Sequence, residues 1–320
     1  MRIVTTLEPD PTSPGSAAPC LGFQVDGKAY TFREALQALG GWQAVREWAG
    51  EAIPQPQVLD DIHALLEAGP PAWDVARRVT ERFAEGLRSG KLSARGASGR
   101  LLAPIPRPRK NVFCVGRNYV EHARERGAEA PEHPVFFTKP PTSVVGPDEE
   151  VPYPPETEQF DYEGELAVVI GRRGRNIPRE RAYEYVFGYT ILNDLTARDL
   201  QKRHQQWFKG KSLDGTCPMG PVVVTADELG DPHRLQLETR VNGELRQSTS
   251  TSLMIFDIPE LIAVLSLGMT LEPGDILATG TPSGVGIALG KLLQPGDRVD
   301  ITISGIGTLT TRIGPPRTGP

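Results

Sequence analysis

The stretch Asp161-Tyr162-Glu163-Gly164-Glu165-Leu166-Ala167-Val168-Val169-Ile170 places two glutamates at the head of an apolar run, Leu166 to Ile170, that reads as a strand. Side chains two residues apart leave a strand on the same side, so Glu163 and Glu165 share a face. A second run, Phe187 to Leu192, ends in Asn193-Asp194. If the two strands are neighbours, three carboxylates share one pocket, where each close pair repels by roughly 4 kcal/mol at an effective dielectric near 20. Against a total stability of about 5–15 kcal/mol, that cluster requires a cation or protonation. Carboxylate oxygens without His or Cys beside them suit Mg²⁺ or Mn²⁺, with Ca²⁺ a further hard ion of the same preference. The same spacing also describes a solvated strand face, with Asp194 capping the next helix.

Outward from this pair, residues 106–320 read as short β-branched and aromatic runs divided by Gly and Pro. Val112 to Val115, Val135 to Thr138 and Val222 to Thr225 are further strands. Leu235 to Val241 and Glu244 to Gln247 flank Asn242-Gly243, the turn chemistry of a type I′ hairpin. Arg298 to Ile303 and Thr308 to Ile313 predict another strand pair, and helices are predicted at Tyr119 to Arg126, Leu195 to Phe208 and Ile258 to Leu267. The expected class is mixed α+β dominated by strands.

Residues 1–105 predict a small separate α+β domain. Residues 1 to about 19 are rich in Pro, Ser and Thr and are expected to form a mobile leader. Two short strands around Asp26-Gly27 lead into a helix at Phe32 to Leu39. Val58, Ile62, Leu65 and Leu66, then Trp73, Ala76, Val79, Phe83 and Leu87, recur at helical spacing. The Pro-containing stretch from Lys91 to Lys110 suits an exposed connection, with a domain boundary near residue 105.

Composition narrows the function. The 320 residues include 34 Gly and 30 Pro, which disfavours long helices, and a net charge of -5 opposes the basic footprint of a nucleic-acid binder. No apolar run is long enough to span a membrane, and Arg2 followed by acid, Pro and Ser offers no secretory h-region, so the expected location is cytoplasmic. Cys20, Cys114 and Cys217 lack metal or redox spacing and read as reduced, buried thiols.

Other residues can carry chemistry around the carboxylates. Arg198 and Gln201 follow Asp194 at i+4 and i+7, a face that can hold an anionic substrate, although Arg198 can equally just neutralise Asp194. Lys211 lies in an irregular stretch and would stabilise an enolate if it reached the metal; otherwise it is an ordinary exposed lysine. His122 and Glu125 are helical neighbours at i and i+3, the arrangement of a carboxylate-oriented imidazole base and equally of a surface pair. The loop Thr279 to Gly286 lacks the Lys-Ser/Thr ending of a phosphate-binding loop, so no nucleotide cofactor is expected; its amides and the Thr281 hydroxyl can hold a carboxylate.

In order and wording these segments resemble one family. VGRNYVEHARE (115–125), FFTKP (136–140), DYEGELAVVIG (161–171), NDLTARDLQ (193–201), KSLDGTCPMGP (211–221), VNGELRQ (241–247) and GDILATGTPSGVG (274–286) resemble the fumarylacetoacetate hydrolase family across roughly residues 110–312. The resemblance implies a compact mixed β-roll catalytic domain, usually a homodimer, holding Mg²⁺ or Mn²⁺ on Glu163, Glu165 and Asp194. It places the His-Glu pair of the lid on His122 and Glu125 and the active-site lysine on Lys211. Arg117, Lys139, Arg198, Gln201 and Thr281 match positions that line the family's site.

The activity the resemblance puts first is hydrolysis of a carbon-carbon bond in a 2,4-dioxo acid of the acylpyruvate or fumarylpyruvate type. In that scheme His122, oriented by Glu125, deprotonates the attacking water, and Lys211 helps to stabilise the departing enolate. The alternative on the same platform is isomerase or decarboxylase chemistry, on a 2-hydroxyhepta-2,4-diene-1,7-dioate or on oxaloacetate. A non-catalytic metal-binding scaffold is a third reading, opposed by the intact set of acid, base and cationic residues. Nicotinamide-dependent oxidoreductase chemistry is a weaker reading still, because no GxGxxG follows a strand and opens a helix.

Overall fold

The computed structural model describes all residues except 11, 12, 14, 50–54, 126, 128 and 317–320. Its larger sheet runs in the order Lys28–Thr31, Ala17–Val25, Arg2–Pro9, Cys217–Thr225, Val186–Asn193, Gly164–Ile170, Ile276–Ala278, Val112–Gly116 and Val135–Lys139. A five-stranded sheet runs Glu244–Ser250, Gln236–Val241, Arg298–Ile303, Gly307–Gly314 and Glu150–Pro152. The mixed α+β class expected from the sequence is the one observed.

The strand Gly164–Ile170 explains why its sequence is a continuous apolar run: every residue in it is buried, because the sheet is covered on both faces. Its side chains alternate between two cores. Ala167 and Val169 join a cluster with Phe32, Val45, Leu65, Val79 and Phe83, which belong to helices Phe32–Ala38, Gly41–Ala49, Ile62–Ala68 and Pro70–Arg88. Leu166, Val168 and Ile170 join the opposite cluster with Leu237, Val299 and Ile301 of the second sheet. Helices, large sheet and small sheet therefore form successive layers, and the amphipathic N-terminal helices cover one face of the sheet that carries the acidic residues.

Three expectations change. The leader contains a strand, Arg2–Pro9, which pairs with Cys217–Thr225 on one side and with Ala17–Val25 on the other. Its β-branched residues Ile3, Val4, Thr5 and Thr6 are buried, a short run masked in the sequence by the Pro- and Ser-rich residues behind it. The connection before residue 105 is not exposed throughout: Arg100–Leu102 pairs with Arg2–Pro9, and Leu102, Ala103 and Ile105 are buried. Residues on both sides of 105 thus share one sheet and one core. The helix expected over Leu195 to Phe208 is broken into Arg198–Arg203 and Phe208–Lys211. Thr196 and Ala197 instead pair with Asp161 and Phe160, and Gln205 takes a positive φ of 57° between the two helical pieces.

The Asn242-Gly243 turn has φ of 52° and 83°, as a type I′ hairpin requires. The helix expected from Tyr119 runs Val120–Glu125, and its expected end at Arg126 lies outside the described residues. Among the described residues, no helix is long and apolar enough to cross a membrane.

Candidate active site

The two acidic strand ends meet because Gly164–Ile170 and Val186–Asn193 are antiparallel neighbours, with Glu165 opposite Leu192 and Gly164 opposite Asn193. The Asp194 N–H donates to the Glu163 carbonyl at 2.9 Å. Carboxylate oxygens of Glu163, Glu165 and Asp194 lie within 4.8 Å of one another, and all three residues are buried.

Three cations surround this cluster unevenly. Lys211 Nζ donates to Glu163 Oε2 at 2.8 Å and to Asp194 Oδ2 at 2.6 Å. Arg198 Nη2 lies 2.7 Å from Glu163 Oε1. Lys139 Nζ lies 2.9 Å from Asp194 Oδ1, yet its hydrogens are directed to the carbonyls of Leu195 and Lys211 and to the Thr216 hydroxyl. Among the described residues, Asp194 Oδ1 is consequently a buried acceptor with an ion-pair neighbour but no hydrogen-bond donor. The only recorded hydrogen-bond donor to Glu165 among the described residues is the Gly280 N–H, 2.8 Å from Oε2.

The acids differ accordingly. Burial raises the Glu163 carboxyl, but Lys211 and Arg198 outweigh it and hold the group well below the ordinary carboxylate range. Burial, then Asp194 and Glu163, push Glu165 well above that range. Burial works against the Lys211 ammonium, but Asp194 and Glu163 overcome it and raise its pKa. A buried oxygen-only donor set, with one carboxylate uncompensated and one oxygen lacking a donor, fits a hard divalent cation.

The helix Val120–Glu125 is fastened beside this cluster. Asn118 anchors its base: Nδ2 donates to the carbonyls of Phe256 and Thr279 at 3.1 and 2.8 Å, and Oδ1 accepts from the Phe256 N–H at 2.8 Å. His122 Nδ1 is 2.8 Å from Glu125 Oε1, and the other Glu125 oxygen accepts the Gly284 N–H at 2.9 Å. An ionised carboxylate only accepts, so Nδ1 carries the hydrogen of the neutral ring and Nε2 retains the lone pair of a base.

A cavity of about 520 Å³ is lined by Arg117, His122, Glu163, Arg198, Gln201, Lys211 and Thr281, with Phe137, Gln159 and Trp207 completing much of its wall. Seven of the sequence-predicted residues therefore face one space. Glu165 and Asp194 stand behind Glu163 in the carboxylate cluster, Glu125 stands behind His122, and Lys139 is fully buried outside the cavity lining. The Thr281 hydroxyl donates to the Gly164 carbonyl at 3.0 Å and accepts from Gln247 Nε2 at 2.9 Å, so its hydrogen is committed within the protein.

Sequence reasoning missed four supporting residues. Asp161 accepts from Arg198 Nε at 2.8 Å and from the Gly286 and Ile287 N–H groups at 2.7 and 3.1 Å, coupling the arginine to the Gly-rich loop. It precedes Glu163 by two, the same spacing that drew attention to Glu165. Gln247 joins Gly164 to Thr281 and Pro282. Asn118 and Trp207 carried no pattern of their own, since their partners are distant in sequence.

The fumarylacetoacetate (FAA) hydrolase C-terminal family model matches residues 111–314. The chain is 62% identical over 220 residues to oxaloacetate tautomerase YisK of Bacillus subtilis, a match covering 67% of this chain and 73% of that protein. Among solved structures, a fumarylacetoacetate hydrolase from psychrophilic Exiguobacterium antarcticum is 38% identical, with a TM-score of 0.72 over 98% of this chain and 100% of that one. Fumarylpyruvate hydrolase from Pseudomonas aeruginosa, in complex with Mn²⁺ and pyruvate, is 36% identical, with a TM-score of 0.61 over 70% of this chain and 94% of that one.

Proposed function

The chain belongs to the fumarylacetoacetate hydrolase family, and on that premise we propose that it is a divalent-metal-dependent tautomerase of oxaloacetate or a closely similar 2-oxo dicarboxylic acid. The observation that carries the reading is His122, a Glu125-oriented base lining the same cavity as Glu163 and Lys211. The oxaloacetate tautomerase, at 62% identity, supports proton transfer over the hydrolysis put first on sequence grounds. It also favours the isomerase and decarboxylase branch that stood there as the alternative.

A divalent cation held by Glu163, Glu165 and Asp194 would supply Lewis acidity toward the 2-oxo group and its neighbouring carboxylate. The chain's own residues do the rest. His122 Nε2 removes a proton from the carbon next to the oxo group, and Glu125 stabilises the imidazolium so formed. Lys211, pinned between Glu163 and Asp194, is a fixed positive charge beside the enolate oxygen. His122 then returns the proton to that oxygen, giving the enol, and the reverse sequence gives the ketone. The lid, tied to Gly284 through Glu125, excludes bulk water while the enolate exists.

The test is to follow enol decay of oxaloacetate with Mg²⁺ or Mn²⁺ present, with pyruvate and CO₂ measured in parallel. Catalysed enol decay that EDTA removes and His122→Asn abolishes is expected, without matching pyruvate release. Pyruvate and CO₂ produced as fast as enol is consumed would replace tautomerisation by decarboxylation. Metal-dependent cleavage of acylpyruvates alone would restore the hydrolase reading, which the fumarylpyruvate hydrolase structure supports at 36% identity.

A further inference from the structure

The cations of the cavity are not equally available to a substrate. Arg198 is engaged by its neighbours: Nε donates to Asp161 at 2.8 Å, Nη1 donates to Gln201 Oε1 at 3.3 Å, and Nη2 is ion-paired with Glu163 at 2.7 Å without hydrogen-bond geometry. Lys211 is held by Glu163 and Asp194. Arg117 and Lys202 also line the cavity, and among the described residues neither has a recorded ion pair. Lys202 is exposed on the helix Arg198–Arg203, and no aromatic ring is recorded against its flexible side chain among the described residues.

Arg117 is built into its place. Its backbone has a φ of 58°, a left-handed conformation that a non-glycine residue keeps only when its surroundings enforce it. The guanidinium carbon sits 5.4 Å from the centre of the Trp207 ring. The indole is fixed in turn: Phe137 meets it edge-on at 5.5 Å and 73°, and a Cβ at Gly116 would come within 2.1 Å of it. Residue 116 must therefore be glycine for the indole to lie there. A guanidinium stacked on an aromatic face keeps its edge N–H groups free for a planar carboxylate, which a flexible lysine does not match.

We propose that Trp207 is the specificity-determining positioning residue of the site: it holds Arg117 against the cavity so that the guanidinium receives the second, distal carboxylate of a dicarboxylic substrate. This rests on the tautomerase reading and deepens it. The class selected is a 2-oxo acid with a carboxylate at each end. The polar end near the carboxylate cluster is common to all 2-oxo acids, so discrimination between mono- and dicarboxylates falls to Arg117.

The test compares two unreactive ligands of equal length, malate and 2-hydroxybutyrate, which differ by a carboxylate in place of a methyl group. Calorimetric titration of the Mg²⁺-loaded full chain is expected to show malate bound about 10- to 100-fold more tightly, the range of one charge-assisted pair. Trp207→Leu and Arg117→Met should erase that preference, while Trp207→Phe, which keeps an aromatic face, should retain most of it. A preference unchanged in both Trp207→Leu and Arg117→Met overturns the proposal. So does an equal loss of affinity for the two ligands, the mark of a merely structural role, or a wild type without the preference. Oxaloacetate turnover measured alongside separates the two readings. A Trp207-dependent preference without tautomerase activity leaves this inference standing and removes the function. Tautomerase activity with the preference intact in the variants does the opposite.

Discussion

Glu125 accepts the Gly284 backbone N–H at 2.9 Å with the carboxylate oxygen that His122 does not use. One side chain therefore orients the His122 ring and fastens the helix Val120–Glu125 to the Gly-rich loop. Gly284 has a φ of 97°, and a Cβ there would fall 2.0 Å from the Arg246 carbonyl, so the loop offers that N–H only with glycine at the position.

Replacing Glu125 by Gln separates the two roles. The amide oxygen can still accept from Gly284, but the neutral side chain no longer stabilises an imidazolium. General acid-base catalysis contributes about 10²–10⁴-fold, so Glu125→Gln should lower kcat by roughly 100-fold or more, with Mg²⁺ affinity little changed. Steady-state kinetics beside metal titration checks this. Wild-type turnover in the variant would remove His122 and Glu125 from the proton-transfer step.

Glu165 supplies a prediction about metal and stability together. It is 1% exposed and, among the described residues, has no ion pair, whereas Glu163 and Asp194 each have two. A buried carboxylate without such a partner is costly, so Glu165→Gln should leave the EDTA-treated protein as stable as the wild type or more so. Saturating Mg²⁺ should raise Tm clearly in the wild type and much less in the variant, since a ligand bound only to the folded state stabilises it by mass action. Thermal melts with Mg²⁺ and with EDTA decide it. An equal Mg²⁺-induced rise in both proteins would place the ion elsewhere.

Lys139 was expected to line the substrate site, and its position gives it a different measurable signature. Its ammonium is fully buried, faces Asp194 at 2.9 Å, and donates to the carbonyls of Leu195 and Lys211. Removing one member of a buried ion pair costs about 3–5 kcal/mol. Lys139→Met should therefore show a large loss in denaturant midpoint before any specific change in KM. A normally stable variant with a raised KM would put the ammonium in contact with substrate.

How much of this was legible follows from the range of the interactions. The carboxylate triad could be read because a two-residue spacing and a strand end are local features, and strand pairing then completes the cluster. His122 with Glu125 is likewise a one-turn relation. Asn118 and Trp207 act through contacts with Phe256, Thr279 and Phe137 that no periodicity encodes. The strand Arg2–Pro9 was hidden for a related reason: its place in the sheet depends on pairing with Cys217–Thr225, more than 200 residues away. The break in the helix after Leu195 also has a tertiary cause, since Thr196 and Ala197 pair with Asp161 and Phe160.

The join between the N-terminal strand and the stretch ahead of residue 105 carries a pH dependence whose sign is fixed. Burial raises the Glu8 carboxyl, but the Ser98 hydroxyl at 2.8 Å and the Gly99 N–H at 3.0 Å prevail, leaving its pKa below the ordinary 4.5. The folded state therefore binds this proton less readily than the unfolded chain. The contribution is fully present above about pH 4.5 and is lost as pH falls through the lower folded value. Glu8→Gln should be less stable than wild type near pH 7, by at most about 1 kcal/mol given the partial solvent exposure. The difference should narrow as urea melts are repeated at successively lower pH below 4.5. A gap that stays constant across that range would assign the loss to side-chain packing and not to the carboxylate holding Ser98 and Gly99.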